Sequence, residues 1–103
     1  MTYRNRKLLD LAHRVNECQL QLDGICEGYS PDGCEPAHSN WLIHGKGGST
    51  KADDVYHCAA CHSCHFQLDQ GTIFNKAEKL EYWRRGFERT MLLYFANGWL
   101  SVK

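Results

Sequence analysis

The stretch Asp53-Asp54-Val55-Tyr56-His57-Cys58-Ala59-Ala60-Cys61-His62-Ser63-Cys64-His65-Phe66-Gln67-Leu68-Asp69 decides how this chain is read, because three of its six cysteines and three of its six histidines fall inside it. Thiolate and imidazole at this density suit a zinc knuckle. A tight Cys-x-x-Cys turn lets two sulfurs reach one tetrahedral ion at ~2.3 Å. The local pattern fits in two registers, Cys58-x-x-Cys61-His62 and Cys61-x-x-Cys64-His65. Spacing alone leaves that choice open.

Working outward, the remaining ligands are sought upstream. Cys18-Gln19-Leu20-Gln21-Leu22 alternates like a short strand, and Asp23-Gly24 turns the chain so that Cys26 can come back towards Cys18. Paired across such a hairpin, Cys18 and Cys26 read as zinc ligands. Residues 27 to 36 carry Gly28, Pro31, Gly33 and Pro36 and form a loop in which Cys34 is left unliganded. A chain of 103 residues has little core of its own. A structural zinc would supply the missing stability, since ~10–16 kcal/mol of binding energy becomes folding energy in small zinc domains. Six cysteines would also suit a secreted disulfide framework. The N-terminus, Met1-Thr2-Tyr3-Arg4-Asn5-Arg6-Lys7, leads instead into an amphipathic pattern and not into an apolar signal segment. A reduced, metal-bound, cytoplasmic protein is expected, with no run long enough to cross a membrane.

The elements around the knuckle follow from periodicity. Leu8, Leu11, Ala12 and Val15 form one apolar stripe and predict a helix over residues 3 to 16. Residues 37 to 44 read as a strand turning out of the core, Val55 and Tyr56 as a second short strand, and the chain from Cys64 onward as a helix. Asn75-Lys76-Ala77-Glu78 has the form of a capping box. Ala77, Leu80, Trp83, Phe87, Met91 and Tyr94 continue an apolar stripe, with Gly86 as a break between two helices and Asn97-Gly98 as the C-cap. The sum is an α+β chain of one domain over 1–103: an N-terminal helix in 1–16, a zinc core in 17–74 and C-terminal helices in 75–103.

Twelve basic and twelve acidic residues leave a formal charge of zero, which excludes a general polyanion binder. Any contact with nucleic acid must come from clusters. Arg4, Arg6, Lys7 and Arg14 form one, and Arg84, Arg85 and Arg89 another. The Gly/Lys loop 45–51 brings Lys46 and Lys51 where backbone amides and ammonium groups can approach a phosphate. It is not a Walker loop, because the Gly-Lys-Ser/Thr ending and the following helix are missing.

The order of these parts, a cysteine pair, His38 on a strand, a Gly-rich loop, an acidic strand start and Cys-x-x-Cys-His, resembles the HNH branch of the His-Me finger nucleases, built on a zinc-stapled treble clef. More closely it resembles the YbcO-like nuclease family of prophages. The segments that carry the likeness are Glu17-Cys18-Gln19, Gly24-Ile25-Cys26, Ala37-His38, Thr50-Lys51, Asp54, Ala60-Cys61, Cys64-His65, Asp69 and Thr72. The resemblance implies a ββα-metal core in which Cys18, Cys26, Cys61 and Cys64 hold a structural zinc, which selects the later register.

It further implies a phage or prophage endonuclease that hydrolyses DNA, with a place in recombination or repair. His38 would take a proton from water. A magnesium or manganese ion held by His65 and a carboxylate, Asp69 first and Asp54 second, would stabilise the phosphorane. Lys46, Lys51, Arg4, Arg6 and Lys7 would face the DNA. The four-cysteine zinc is closed to substrate, so catalysis needs this second metal. Many HNH enzymes place an acidic residue directly before the base histidine, and here that place is Ala37. The family pattern also has alanine there, which implies either that another carboxylate takes over or that activity is weak or lost. The competing expectation is a non-catalytic zinc module that binds DNA or a protein.

Overall fold

Two four-residue strands position everything that follows. β1 (Glu35–His38) pairs antiparallel with β2 (His57–Ala60), setting Glu35 opposite Ala60, Ala37 opposite Cys58 and His38 opposite His57. The computed structural model describes residues 3–47 and 50–103. Met1 and Thr2, and Gly48 and Ser49 of the Gly/Lys loop, lie outside the described residues. Among those described, three α-helices surround the sheet: α1 (Arg6–Asp10), α2 (His62–Gln70) and α3 (Lys76–Ala96). The fold is a small α+β one.

The stripe Leu8, Leu11, Ala12 and Val15 is buried as expected, but the helix is shorter than residues 3 to 16. The Asn5 side chain accepts the Leu8 N–H at 3.0 Å and starts α1 at Arg6. After Asp10 the chain tightens into a 3-10 turn, Leu11–Arg14. It ends there because the backbone of residues 15 and 16 is claimed by the loop beyond: Cys34 donates to Val15 and Ser30 to Asn16. Leu8, Leu11, Ala12, Val15, Cys34, Ala59 and Tyr94 make one of two core clusters.

The strand expected over Cys18–Leu22 does not form. Gln21 has φ +53, which breaks the extension, and only an isolated bridge joins Glu17 to Tyr29. The turn at Asp23-Gly24 does form: Gly24 has φ +74, and Cys26 N–H donates back to Leu22 at 3.0 Å. The other two strand boundaries also move. β1 begins at Glu35 and stops at His38, because the Ser39 hydroxyl accepts the Trp41 N–H at 3.0 Å and pulls the chain into a 3-10 turn over Leu42–His44. Tyr56 closes a turn onto the Asp53 carbonyl at 2.9 Å, so Val55 and Tyr56 stay outside the strand and β2 starts at His57.

The Asn75 capping box is present in both directions at 2.8 Å, and α3 ends at Asn97 with Gly98 in the left-handed region. Gly86 does not divide it. A Cβ there would stand 2.6 Å from the Cys58 sulfur and 3.0 Å from the Gln19 carbonyl, so the glycine is the notch through which α3 rests on β2. One turn on, the Thr90 hydroxyl accepts the Ala59 N–H at 3.1 Å and donates to the Gly86 carbonyl at 2.7 Å. Ala77 and Leu80, at the start of the predicted stripe, are exposed; cover begins at Trp83.

Candidate active site

The cysteine register is decided by packing. The sulfurs of Cys18, Cys26, Cys61 and Cys64 all lie within 4.8 Å of one another, close to the ~3.8 Å edge of a tetrahedron with 2.3 Å bonds. Cys61 caps α2, its sulfur accepting the Cys64 N–H at 3.4 Å. More amides aim at the cluster: Cys61 N–H at the Cys18 sulfur, 3.2 Å, Gly28 N–H at Cys26, 3.3 Å, and Glu27 N–H at Cys61, 3.5 Å. Such donors stabilise negative sulfur and suit the outer shell of a metal thiolate. The Cys18 thiol is pulled down to about 4, first by its hydrogen bond with Cys64. All six cysteines are free thiols. Cys58 is sealed beneath Gly86 and Cys34 lies in the other core cluster, where burial pushes both thiols up, Cys34 to about 12. The four-cysteine cluster can hold a metal such as zinc.

A groove of about 590 Å³ opens beside this centre. It is lined by Arg6, Pro36, His38, Lys46, Lys51, His65 and Asp69, among others, so His38 and His65 face one groove. Strand alternation explains the choice of face. Pro36 and His38 line the groove, while Ala37 between them is fully buried and its carbonyl accepts the Trp83 indole N–H at 3.1 Å. A carboxylate at position 37 would enter the core.

Behind His38 stands Asp54. Its Oδ1 is 3.0 Å from His38 Nε2, and its Oδ2 accepts the Asn5 N–H at 2.6 Å. Burial opposes the Asp54 charge, but the bonds from His38 and Asn5, with Arg4 at 3.5 Å, outweigh it and hold the carboxyl below its ordinary range. An ionised Asp54 can only accept, so His38 carries its proton on Nε2 and leaves Nδ1 as the basic nitrogen. Among the described residues Nδ1 has no hydrogen-bond partner. Asp54 is therefore placed with His38 and not with His65.

His65 sits in the first half of α2, which begins at His62 and not at Cys64; it is half-buried and lines the groove. Its Nε2 is 3.2 Å from Asp69 Oδ2, one turn on, and its Nδ1 is 2.8 Å from Glu35 Oε1. The bond to Asp69, with that to Glu35, raises the His65 pKa against burial. In turn, burial opposes the Asp69 charge but the His65 bond prevails and lowers its pKa. Glu35 was missed by the sequence reading. It also meets His62 Nδ1 at 2.9 Å, and only the strand register brings it across to α2. A cation taken by His65 Nε2 and Asp69 would have its imidazole oriented from behind by Glu35, the carboxylate–histidine–metal arrangement of many metal sites.

The basic residues divide. Arg6, Lys46 and Lys51 line the groove. Arg4 is spent on the Ala52 and Lys51 carbonyls, at 2.8 and 3.0 Å, and Lys7 borders a different hollow with Tyr3 and Trp99. Arg84 and Arg85 pair with Glu81, and Arg89 donates to the Gln19 carbonyl. Two other histidines serve packing. His57 is fully buried between the Asp54 carbonyl, 2.7 Å, and the Tyr94 hydroxyl, 2.9 Å, and His44 stacks on Tyr56 at 4.1 Å. No described helix is long and apolar enough to cross a membrane.

No family model matches the chain. Two curated proteins do: "Putative nuclease YbcO" of Escherichia coli (strain K12) and "Putative nuclease ybcO" of Enterobacteria phage 82, each 33% identical over 88 residues, or 84% of this chain and 90% of theirs. Among solved structures, "Structure of a putative bacteriophage protein from Escherichia coli str. K-12 substr. MG1655" superposes with a TM-score of 0.64 at 27% identity, covering 86% of this chain and 98% of that one.

Proposed function

The chain belongs to the YbcO family, and from that membership we propose that it is a metal-dependent DNA endonuclease of phage or prophage type, built on an HNH-like treble clef. The observation that carries the proposal is the single groove into which His38, His65, Asp69 and three cationic side chains converge. A phosphodiester laid there meets a base on one side and a cation site on the other.

His38 acts through Nδ1. Asp54 keeps the proton on Nε2, so the free lone pair takes the proton from the water that attacks phosphorus, and Asp54 stabilises the imidazolium that results. His65 Nε2 and Asp69 would hold magnesium or manganese, which supplies charge stabilisation at the phosphorane and at the leaving oxygen. Glu35 holds the His65 Nδ1 proton and with it the ring orientation. Arg6 and Lys51 draw the backbone phosphates into the groove. Cys18, Cys26, Cys61 and Cys64 carry a closed zinc that joins the loop before β1 to the start of α2 and takes no part in the chemistry. Cutting of phage DNA in recombination or repair is the role such an enzyme would serve.

The test is plasmid nicking. Wild-type protein with one zinc per chain should nick supercoiled DNA when magnesium or manganese is added. His38→Ala should abolish nicking while zinc content and circular dichroism stay unchanged. A His38→Ala protein that cuts like wild type would remove the assigned base. Retarded but uncut DNA across all divalent metals would instead establish a non-catalytic zinc module.

A further inference from the structure

Beyond the groove, Leu42 and Ile43 are 77% and 87% exposed and adjacent on the 3-10 turn. Single exposed apolar residues are ordinary, but this pair is held out by packed neighbours at both ends. On one side Trp41 packs edge-on against Trp83 at 5.4 Å; on the other His44 stacks on Tyr56 and meets the Ser39 hydroxyl at 2.6 Å. The Gly45 N–H closes the turn onto the Leu42 carbonyl at 3.0 Å. Two half-buried aromatic anchors thus flank a two-residue apolar tip in water.

Two observations say what covers it. The hollow beside the tip, about 460 Å³, is lined by Trp41, Leu80 and Lys76, and by Asn40, which also lines the groove, so the two depressions adjoin at Asn40. Arg6, Lys46 and Lys51 line the groove side and Lys76 the far side. A partner that is anionic at its edges and apolar within fits this arrangement, and duplex DNA has that cross-section. Leu42 follows His38 by four residues, which span at most ~14 Å. At ~3.4 Å per base pair the tip reaches a step within about four of a phosphate held at His38.

Resting on the nuclease reading above, we infer that Leu42 and Ile43 form an apolar wedge that enters a base step of DNA next to the phosphate in the groove and partly unstacks it. The kink turns the phosphodiester towards His38 and favours flexible pyrimidine–purine steps.

Both side chains are exposed, so Leu42→Ala/Ile43→Ala keeps the fold. Binding is measured in a His38→Ala background, on a duplex carrying 2-aminopurine throughout. The expected result is a several-fold rise in fluorescence on binding, lost in the triple variant together with about tenfold in affinity. The salt dependence should not change, since no phosphate contact is removed, whereas Lys51→Ala should lower its slope by about one. Unchanged fluorescence and affinity would overturn the wedge. So would sedimentation showing that the double substitution separates two copies of the chain instead. Wild-type nicking is scored separately: failure to cut removes the nuclease reading, while cutting with an inert Leu42–Ile43 pair removes only the wedge.

Discussion

Replacing Asp54 by asparagine tests the site at its most specific point. The substitution keeps shape and removes charge where the side chain is only 4% exposed. The Asn5 N–H at 2.6 Å needs an acceptor, so the amide oxygen takes the Oδ2 place. The amide NH₂ then faces His38 Nε2 from the Oδ1 place, with the Arg4 guanidinium 3.5 Å away as a second donor. His38 must answer by accepting at Nε2, which moves its proton to Nδ1 and removes the base from the groove. A general base contributes roughly 10²–10⁴ in rate, so kcat should fall by that factor, a barrier rise of about 3–5 kcal/mol. Charge-assisted hydrogen bonds contribute ~1.5–3 kcal/mol each and part of this network survives, so the stability loss should be about 2 kcal/mol. That is roughly 10 °C in Tm for a chain of this size. Nicking is therefore assayed at 15 °C, where the variant is folded, and ¹⁵N-resolved imidazole spectra report the tautomer directly. Wild-type nicking by Asp54→Asn, or an Nε2–H tautomer of His38 retained in it, would refute the reasoning.

Three further outcomes follow from the same geometry. Glu35→Gln should weaken manganese binding by about 10- to 100-fold in calorimetry, because it removes the negative charge behind His65 and leaves one acceptor oxygen for the two imidazoles that Glu35 meets; an unchanged affinity would place the ion elsewhere. Gly86→Ala gains ~1 kcal/mol of helix propensity, but a Cβ 2.6 Å from the Cys58 sulfur should cost more than it returns. A net loss of about 1–2 kcal/mol in urea unfolding is expected, and a stabilised variant would contradict the close contact of α3 with β2. Burial lowers the His57 pKa, so His57 should still be neutral at pH 6.5, where a free imidazole is half protonated. The unfolded chain then binds the extra proton, so this group's contribution is complete above pH 6.5 and is lost as pH falls towards the folded pKa. An NMR titration in which His57 protonates first among the histidines would reverse that sign.

What could be read without coordinates was whatever is encoded within one or two turns of chain. The capping box at Asn75 and Glu78 is local hydrogen bonding between residues three apart. The Asp23-Gly24 turn, the close of α3 at Asn97-Gly98 and the apolar face at Leu8, Leu11, Ala12 and Val15 are likewise local. Cys61 and Cys64 belong together because the first turn of a helix holds residues three apart side by side. Where local pattern met a competing partner it lost. The alternation at Cys18–Leu22 implied a strand, but those residues are bent to bring two sulfurs to a common point, and Gln19 N–H is taken by Ala59 at 2.8 Å.

Tertiary structure decided the rest, because the relevant partners are tens of residues apart. The choice between Cys58 and Cys64 was made by α3, whose glycine notch covers Cys58 and leaves Cys64 to the cluster. Asp54 reads as one more carboxylate near a histidine-rich stretch until the sheet sets it behind His38, sixteen residues earlier. Glu35 carries no motif at all; antiparallel pairing sets it opposite Ala60, and its reach to His65 across thirty residues follows from that register. Sequence spacing states which groups can act together on one turn. Only the packing of separate turns against one another determines which nitrogen carries the proton, which sulfurs share an ion and which face of a strand meets the groove.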